Sequence, residues 1–289
     1  MDREPPAAGQ TEPVKLLRET GDTASPESGT VVTIGAYDGV HRGHQALLRL
    51  VRELASARDL DAAVVTFDRH PAQVVRPDSA PKLLTSLDQK LDLLEGTGDV
   101  DVCALLHFDR ARSQEPAEDF VRNVLVKLLD ARIVVVGADF HFGYKRSGNV
   151  AMLEAAGSAL GFEVIGLGLV AAGGHDHEPI SSTRVRSCLA DSDVEAAAAL
   201  LGRPHEVQGT GGGAGSVLVP AEICLPAEGR YLGELLGPDG MRHRAEITVA
   251  EISPAAVPGA DPSRLELVVP AERADFDEQP VSVRFVDRA

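Results

Sequence analysis

The sequence predicts an α/β chain: a doubly wound, mostly parallel sheet followed by a small antiparallel barrel or sandwich. Three observations carry this. VVTIGA (31–36), AAVVTF (62–67), VCALLHF (102–108), RIVVVG (132–137) and EVIGLGL (163–169) are short, β-branched and apolar throughout. Runs of that kind are strands buried on both faces. Segments of helical period lie between them, so the pattern is strand, helix, strand. After GRPHEVQGTGGGAG (202–215) it changes to short strand-like runs parted by Gly and Pro, as in small antiparallel folds.

Taken in order, residues 1–30 are rich in Pro, Gly, Ser, Thr and acidic residues. They read as a flexible tail with one short ordered piece at Val14–Leu17. The first domain is expected over 31–203. HQALLRLVRELASA (44–57) puts Leu47, Leu48, Val51, Leu54 and Ala55 on one stripe. EPAEDFVRNVLVKLLDA (115–131) repeats Phe120, Val121, Val124, Leu125, Leu128 and Leu129 at the same spacing. Each stripe is the apolar face of a helix packed on a sheet. Two more helices are expected after Ser181 and after Asp193. The second domain is expected over 204–289, with strands in VLVPAEICLP, RYLGELL, RAEITVAEI, RLELVVP and VSVRFV.

The chain has 289 residues, room for two domains at roughly 100–200 residues each. Its net charge of −16 argues against a general nucleic-acid partner, because phosphate backbones are repelled at long range. A small anion in a locally positive pocket stays compatible. No apolar run reaches the roughly 20 residues that span a bilayer, and the N-terminus lacks the basic start and apolar core of a secretory signal. Cys103, Cys188 and Cys224 are scattered and form neither a disulfide framework nor a zinc pattern. A reduced, cytoplasmic protein is expected; oligomeric state leaves no signal.

Four stretches carry chemistry, each beside a predicted element. GAYDGVHRGH (35–44) joins a strand to a helix. Unpaired N–H groups and the helix dipole make such a turn an anion site. Gly35, Gly39 and Gly43 allow close approach of a phosphate, and His41 and His44 can both donate to it as charge builds up. Two histidines at a helix cap would read the same way. FDRHP (67–71) ends the next strand; Phe67 offers a flat wall, His70 a stacking or hydrogen-bonding group, and Pro71 a stiff exit, although His-Pro at a strand end also makes a plain turn. GADFHFGYKRSG (137–148) holds three of the eleven Phe and Tyr residues, either a loop packed on a planar ligand or an Ω-loop held by its own aromatics. ISSTRVRSCL (180–189) offers Ser181, Ser182 and Thr183 as helix caps. Arg184 and Arg186 follow in a first turn, where cations oppose the dipole. A bound triphosphate would satisfy hydroxyls, N–H groups and guanidinium together; the alternative is a capped surface helix. GTGGGA (209–214) nearly spells a dinucleotide fingerprint, but no helix follows, so it reads as a loop. HDHE (175–178) reads as a solvated loop rather than a metal site, Asp109–Arg112 as a solvated face, and there is no Walker-type loop.

GAYDGVHRGH, FDRHP, GADFHFGYKRSG, ISSTRVR and LLGRP, in this order over about residues 31–204, resemble bacterial FAD synthetases, the bifunctional riboflavin kinase/FMN adenylyltransferases. The resemblance implies a Rossmann-like, HIGH-type nucleotidylyltransferase domain that transfers AMP from ATP to FMN, giving FAD and pyrophosphate with Mg²⁺, and a riboflavin-kinase-like barrel. It assigns catalytic roles to His41, His44 and Arg186. ATP binding falls to Gly35, Tyr37, Asp38, Gly43, Asp139, Phe140, Ser182, Thr183 and Arg184, and flavin binding to Phe67, His70, Pro71, Phe142 and Gly143. No residue is assigned to the metal. Tyr37 stands where the family usually has Phe, and Ala36 is one of several residues found there.

The second domain departs from that family. Its G-x-P-T-A-N stretch is SVLVPAEICLP here: Pro220 and Ala221 remain, Thr and Asn are lost, and Glu222 lies near the Asn position. Only Asp275 and Phe276 survive of D-F-x-x-D-L-Y-G. Glu266 matches the kinase's catalytic Glu, though a lone Glu in a strand is more often structural. The chain stops at Ala289 without the family's C-terminal helix. The expectation is an FMN adenylyltransferase with a degenerate kinase domain. The alternatives are a bifunctional enzyme, a paralogue acting on another phosphorylated acceptor, or a non-catalytic flavin or nucleotide binder.

Overall fold

The computed structural model describes residues 13–18, 26, 28–168, 179–212, 216–238, 240–250, 264–268 and 278–289. The chain forms two compact units. One comprises Met1–Ala36, Gln45–Asp78 and Leu91–Leu169; the other comprises Tyr37–His44, Ser79–Lys90 and Val170–Ala289.

The first unit is built on β1 (Lys15–Arg18), β2 (Thr30–Ile34), α1 (Arg42–Ser56), β3 (Asp61–Phe67), α2 (Pro71–Val75), α3 (Leu87–Glu95) and β4 (Val102–Leu106). It continues with α4 (Arg110–Ser113) and α5 (Ala117–Phe120), which runs into a wide-turned helical segment, Val121–Leu128. Then come β5 (Ala131–Gly137), a hairpin of β6 (His141–Phe142) and β7 (Gly148–Asn149), α6 (Val150–Leu160) and β8 (Glu163–Leu167). The sheet is parallel with order β1-β4-β3-β2-β5-β8. Strand order reverses at β2, between β3 and β5. The loops leaving the carboxyl ends of β2 and β5 therefore diverge at the sheet's switch point, where open α/β sheets hold ligands. All five residues of β2 and of β4 are buried, which explains why these strands read as unbroken apolar runs. The stripe predicted on α1 packs Val51 and Ala55 on Val31, Ile133 and Val135 of the sheet. Within the residues expected to form a tail, Lys15–Arg18 adds the edge strand β1, parallel to β4; Leu17 points into the core.

The second unit contains α7 (Ser182–Ala190), α8 (Val194–Leu201) and a closed six-stranded barrel of β9 (His205–Gly212), β10 (Ser216–Pro220), β11 (Gly229–Leu236), β12 (Arg242–Val249), β13 (Arg264–Val268) and β14 (Pro280–Arg288). Its strand order is β10-β13-β12-β11-β14-β9. The compact units do not divide at 203/204, because α7 and α8 share one core with the barrel. Val185, Leu189, Val194, Ala197 and Leu201 pack with Val207, Val217, Tyr231 and Phe285.

The loop expected at 209–214 is corrected: Gly209–Gly212 complete β9, with Thr210 opposite Leu218 and Pro280. Glycine suits this strand because its neighbours lie very close. A Cβ at Gly209 would come within 2.5 Å of the Leu218 carbonyl, and one at Gly212 within 2.7 Å of Ser216 Oγ. Gly213 and Ala214, most of the N-terminal tail, HDHE (175–178) and Asp275–Phe276 lie outside the described residues.

Candidate active site

The loop after β2 begins with Gly35, whose N–H donates to Val65 O at 3.0 Å. It then bends sharply. Tyr37, Gly39 and Val40 have φ of 51°, 82° and 37°. Left-handed backbone is strained for a β-branched residue such as Val40, and it persists only where surroundings over-determine it. Those surroundings are explicit. The buried Asp38 carboxylate accepts the Leu84 N–H at 2.9 Å and the Thr85 N–H at 3.2 Å. Thr85 Oγ1 accepts the Gly39 N–H at 3.2 Å. Arg203 donates to Gly39 O at 2.7 Å and Val40 O at 3.4 Å.

The bend delivers two stacked imidazoles. His41 and His44 have ring centroids 3.6 Å apart at 14°, and Tyr37 lies 4.8 Å from His44 on its other contact. His41 Nδ1 accepts the His44 N–H at 3.3 Å, which puts the proton of a neutral His41 on Nε2, free to donate. Burial, aided by the charges of Arg203 and Arg186, lowers the His41 pKa to about 4. Burial, with His41 beside it, also holds His44 well below the ordinary histidine value. Both rings are neutral donors near pH 7. His44 Nδ1 is buried with no hydrogen-bond partner among the described residues. Gly43 is glycine for space: a Cβ there would lie 3.2 Å from the His41 ring and 3.3 Å from Ile180 O.

That contact with Ile180 brings in the other turn. α7 starts behind Ser181, whose Oγ accepts the Arg184 N–H at 3.2 Å. Ser182 Oγ donates to Asp38 O at 2.8 Å. Arg186 pairs with the Asp38 carboxylate and donates from Nε to Lys82 O at 2.6 Å. Thr183 is exposed at the helix start. The two motifs, about 140 residues apart, are thus joined at Asp38 in one compact unit. Asp38 and Ser182 spend their side chains on this junction, and Arg186 spends part of its donor fork.

In the first unit, the expected flavin residues lie at and after the end of β3 and in the β6–β7 hairpin, and Asp139 and Phe140, expected at the nucleotide, precede that hairpin. Phe67 meets Phe108 edge-on at 5.1 Å. His70 caps α2, its Nδ1 accepting the Ala72 N–H at 3.1 Å while Gln73 Oε1 accepts the His70 N–H; Pro71 is the first helical residue, where its missing N–H costs nothing. Asp139 is exposed and Phe140 half-buried. Phe142 sits in the core, stacked on Phe140 at 5.4 Å and tilted against Phe120 at 5.6 Å. Gly143, at φ 71°, lies so near Ala117 that a Cβ would meet its backbone at 2.7 Å. Core packing thus occupies both Phe142 and Gly143. A cavity of about 480 Å³ on the barrel is lined by Gln208, Thr210, Leu218, Pro220, Pro280 and Ser282; it includes none of the expected ligand residues.

The sequence reading missed Leu84, Thr85 and Arg203 around the bend. Leu84 and Thr85 act largely through backbone N–H groups, which no residue type announces. Arg203 stood in view within LLGRP. Among the described residues, no group of three His, Cys, Asp or Glu side chains is suited to a metal ion, and no helix is long and apolar enough to cross a membrane.

Comparison with known proteins fits this arrangement. A family model described as FAD synthetase matches residues 23–184. A bifunctional riboflavin kinase/FMN adenylyltransferase from Escherichia coli (strain K12) is 39% identical over 197 residues, 68% of this chain and 62% of the relative. Its counterpart from Haemophilus influenzae is 37% identical over 196 residues, 68% of this chain and again 62% of the relative. The aligned chain thus spans less than two thirds of the length of these relatives. A solved chain named macrolide-efflux protein, from Streptococcus pneumoniae, superposes with a TM-score of 0.75 at 26% identity, covering 96% of this chain and 90% of that one.

Proposed function

The chain belongs to the FAD synthetase family, and from that premise we propose that it is an FMN adenylyltransferase: an FMN phosphate oxygen attacks the α-phosphorus of ATP and pyrophosphate leaves. The observation that carries this reading is the Asp38 junction, which ties the His41–His44 turn and the Ser182–Arg186 helix start into one structure. A triphosphate is the ligand that both would serve together.

The reaction asks for no protein nucleophile, since the acceptor phosphate is already anionic near pH 7. The protein must align two polyanions and offset charge on the transferring phosphorus and on the leaving pyrophosphate. Neutral His41 and His44 donate N–H groups there. Donors held by the fold need no reorganisation as the charge grows. A polyanion beside them also favours their protonated forms, so proton uptake accompanies nucleotide binding. The Thr183 hydroxyl and the free N–H groups opening α7 hold phosphate oxygens, and the remaining guanidinium donors of Arg186 reach the same tail. Phe67 offers flat apolar surface to the isoalloxazine ring, and Phe140 to the nucleotide. Among the described residues no group of three His, Cys, Asp or Glu side chains could hold the ion; an ion arriving with ATP would be held by phosphate oxygens and water.

The second half of the proposal is that the barrel has lost riboflavin kinase activity. The stretch at the kinase's Thr and Asn positions carries neither residue. Its Ala221 and Glu222 carbonyls accept Lys82 Nζ and the Leu83 N–H, and the Cys224 N–H donates to Leu83 O. A cytoplasmic location is proposed with the activity. The test is incubation with ATP and Mg²⁺ plus either FMN or riboflavin, with products separated by chromatography. FAD from FMN, and no FMN from riboflavin, is the expected result. Absence of FAD would reject the transferase reading; formation of FMN would reject the loss of the kinase.

A further inference from the structure

LLGRP (200–204) belongs to the family pattern, yet the chemistry above leaves Arg203 without a role. Arg203 follows Gly202, the left-handed cap of α8, and its guanidinium is largely buried. Nη2 donates to Gly39 O at 2.7 Å, and Nη1 donates to Val40 O at 3.4 Å and to Leu201 O at 3.3 Å. Leu201 O is one of the last-turn carbonyls of α8, which a cation there suits. A single planar group therefore fastens a helix end to the left-handed bend at Gly39 and Val40.

Two further features set Arg203 apart from a surface cation. It has no carboxylate at ion-pair distance among the described residues; its hydrogen bonds all go to main-chain carbonyls. Burial, with Arg284 nearby and against the pull of Glu206, lowers its pKa to about 10, so it stays charged near pH 7. The peptide that it holds at Val40 O is the one that carries the His41 backbone. His41 in turn stacks on His44 and accepts its N–H. A small rotation of that peptide would move both rings.

We propose that Arg203 is a positioning residue for the transfer: its guanidinium clamps the strained Gly39–Val40 bend and so sets the placement of the His41–His44 donor pair. The inference rests on the adenylyl-transfer reading and deepens it. Lysine cannot take over the clamp, because a point ammonium does not span three carbonyls as a rigid fork does. Positioning errors act on rate more than on binding: displacement of about 1 Å costs on the order of 100-fold.

The test uses the full chain carrying Arg203→Lys and, separately, Arg203→Ala, assayed well below each variant's Tm. Arg203→Lys keeps a cation and guards against a variant that fails to fold. The expected result for it is a kcat lower by on the order of 100-fold with KM for ATP within about threefold, together with shifted ring ¹H–¹⁵N signals of His41 and His44. Added guanidinium ion should restore part of the Arg203→Ala rate. A folded Arg203→Lys protein with native kcat and unshifted ring signals overturns the proposal. So does Arg203→Ala that loses only Tm. Should the native chain make no FAD from FMN, the transferase reading falls by itself; the ring signals then judge the clamp, and unshifted signals overturn it.

Discussion

Asp38 is the residue on which the site turns, although its motif suggests a ligand contact rather than a junction. It is 5% exposed, yet its carboxylate accepts two backbone N–H groups and pairs with Arg186. Removing one partner of a buried pair leaves an uncompensated charge and costs about 3–5 kcal/mol. Arg186→Ala should therefore lower stability by about that much, read from urea unfolding, as well as weaken ATP use; unchanged stability would show that the pair is not formed in solution. His44 is the opposite case. Its Nδ1 has no partner among the described residues, so no hydrogen bond through that atom is lost when the ring goes, only its stacking on His41 and Tyr37. His44→Ala should reduce kcat by on the order of 10²–10³-fold, the scale of one oxyanion-type donor, with Tm nearly unchanged. Comparable kcat in variant and native protein would strip His44 of its role. Both histidines stood out in the sequence as a pair among glycines at a strand-to-helix turn, although two histidines at a helix cap would read the same way. Their neutrality was not legible, since it comes from burial.

At the scale of elements, the short runs 31–36, 62–67, 102–108, 132–137 and 163–169 each hold a strand of the sheet. Strands buried on both faces write themselves as unbroken β-branched stretches. The helix after Ser181 was equally legible from its cap residues. The strand at 209–212 was not, because its glycines answer to crowding from β10 and a local rule reads glycine as a turn. Gly143 carries the matching lesson. Its left-handed φ and the backbone of Ala117 at 2.7 Å from a Cβ make it a packing requirement of the β6–β7 hairpin. Gly143→Ala should destabilise the protein by about 1–3 kcal/mol, measured as a fall in Tm. It should weaken FMN use while KM for ATP stays near native. A parallel rise in both KM values would mean that the hairpin does not act on the acceptor alone.

At the scale of the molecule, buried neutral histidines make stability depend on pH. His41 and His205 both have folded pKa values near 4, below the unfolded value of about 6.5. His205 is driven there by burial, although its Nε2 bonds Cys224 O at 2.8 Å. A lowered pKa means that the folded state binds fewer protons than the unfolded one between the two values. Their contribution is therefore fully present above about pH 6.5 and is lost as pH falls toward 4. Between pH 7 and pH 5 the two should remove about 3–4 kcal/mol, read from urea midpoints. Because His44 is lowered as well, His205→Gln should flatten that dependence only in part, and an unchanged slope would show that His205 titrates normally. What the sequence determined by itself was the class of each half, the order of the elements and which turns hold the candidate phosphate-handling residues, because periodicity, caps and motif spacing are local properties. Only the tertiary structure decided that 37–44, 79–90 and 182–203 close on one another around Asp38, that Phe142 and Gly143 serve the core, and that Arg203 grips the bend. Those outcomes depend on backbone carbonyls, backbone N–H groups and burial, which acquire partners only when distant parts of the chain meet.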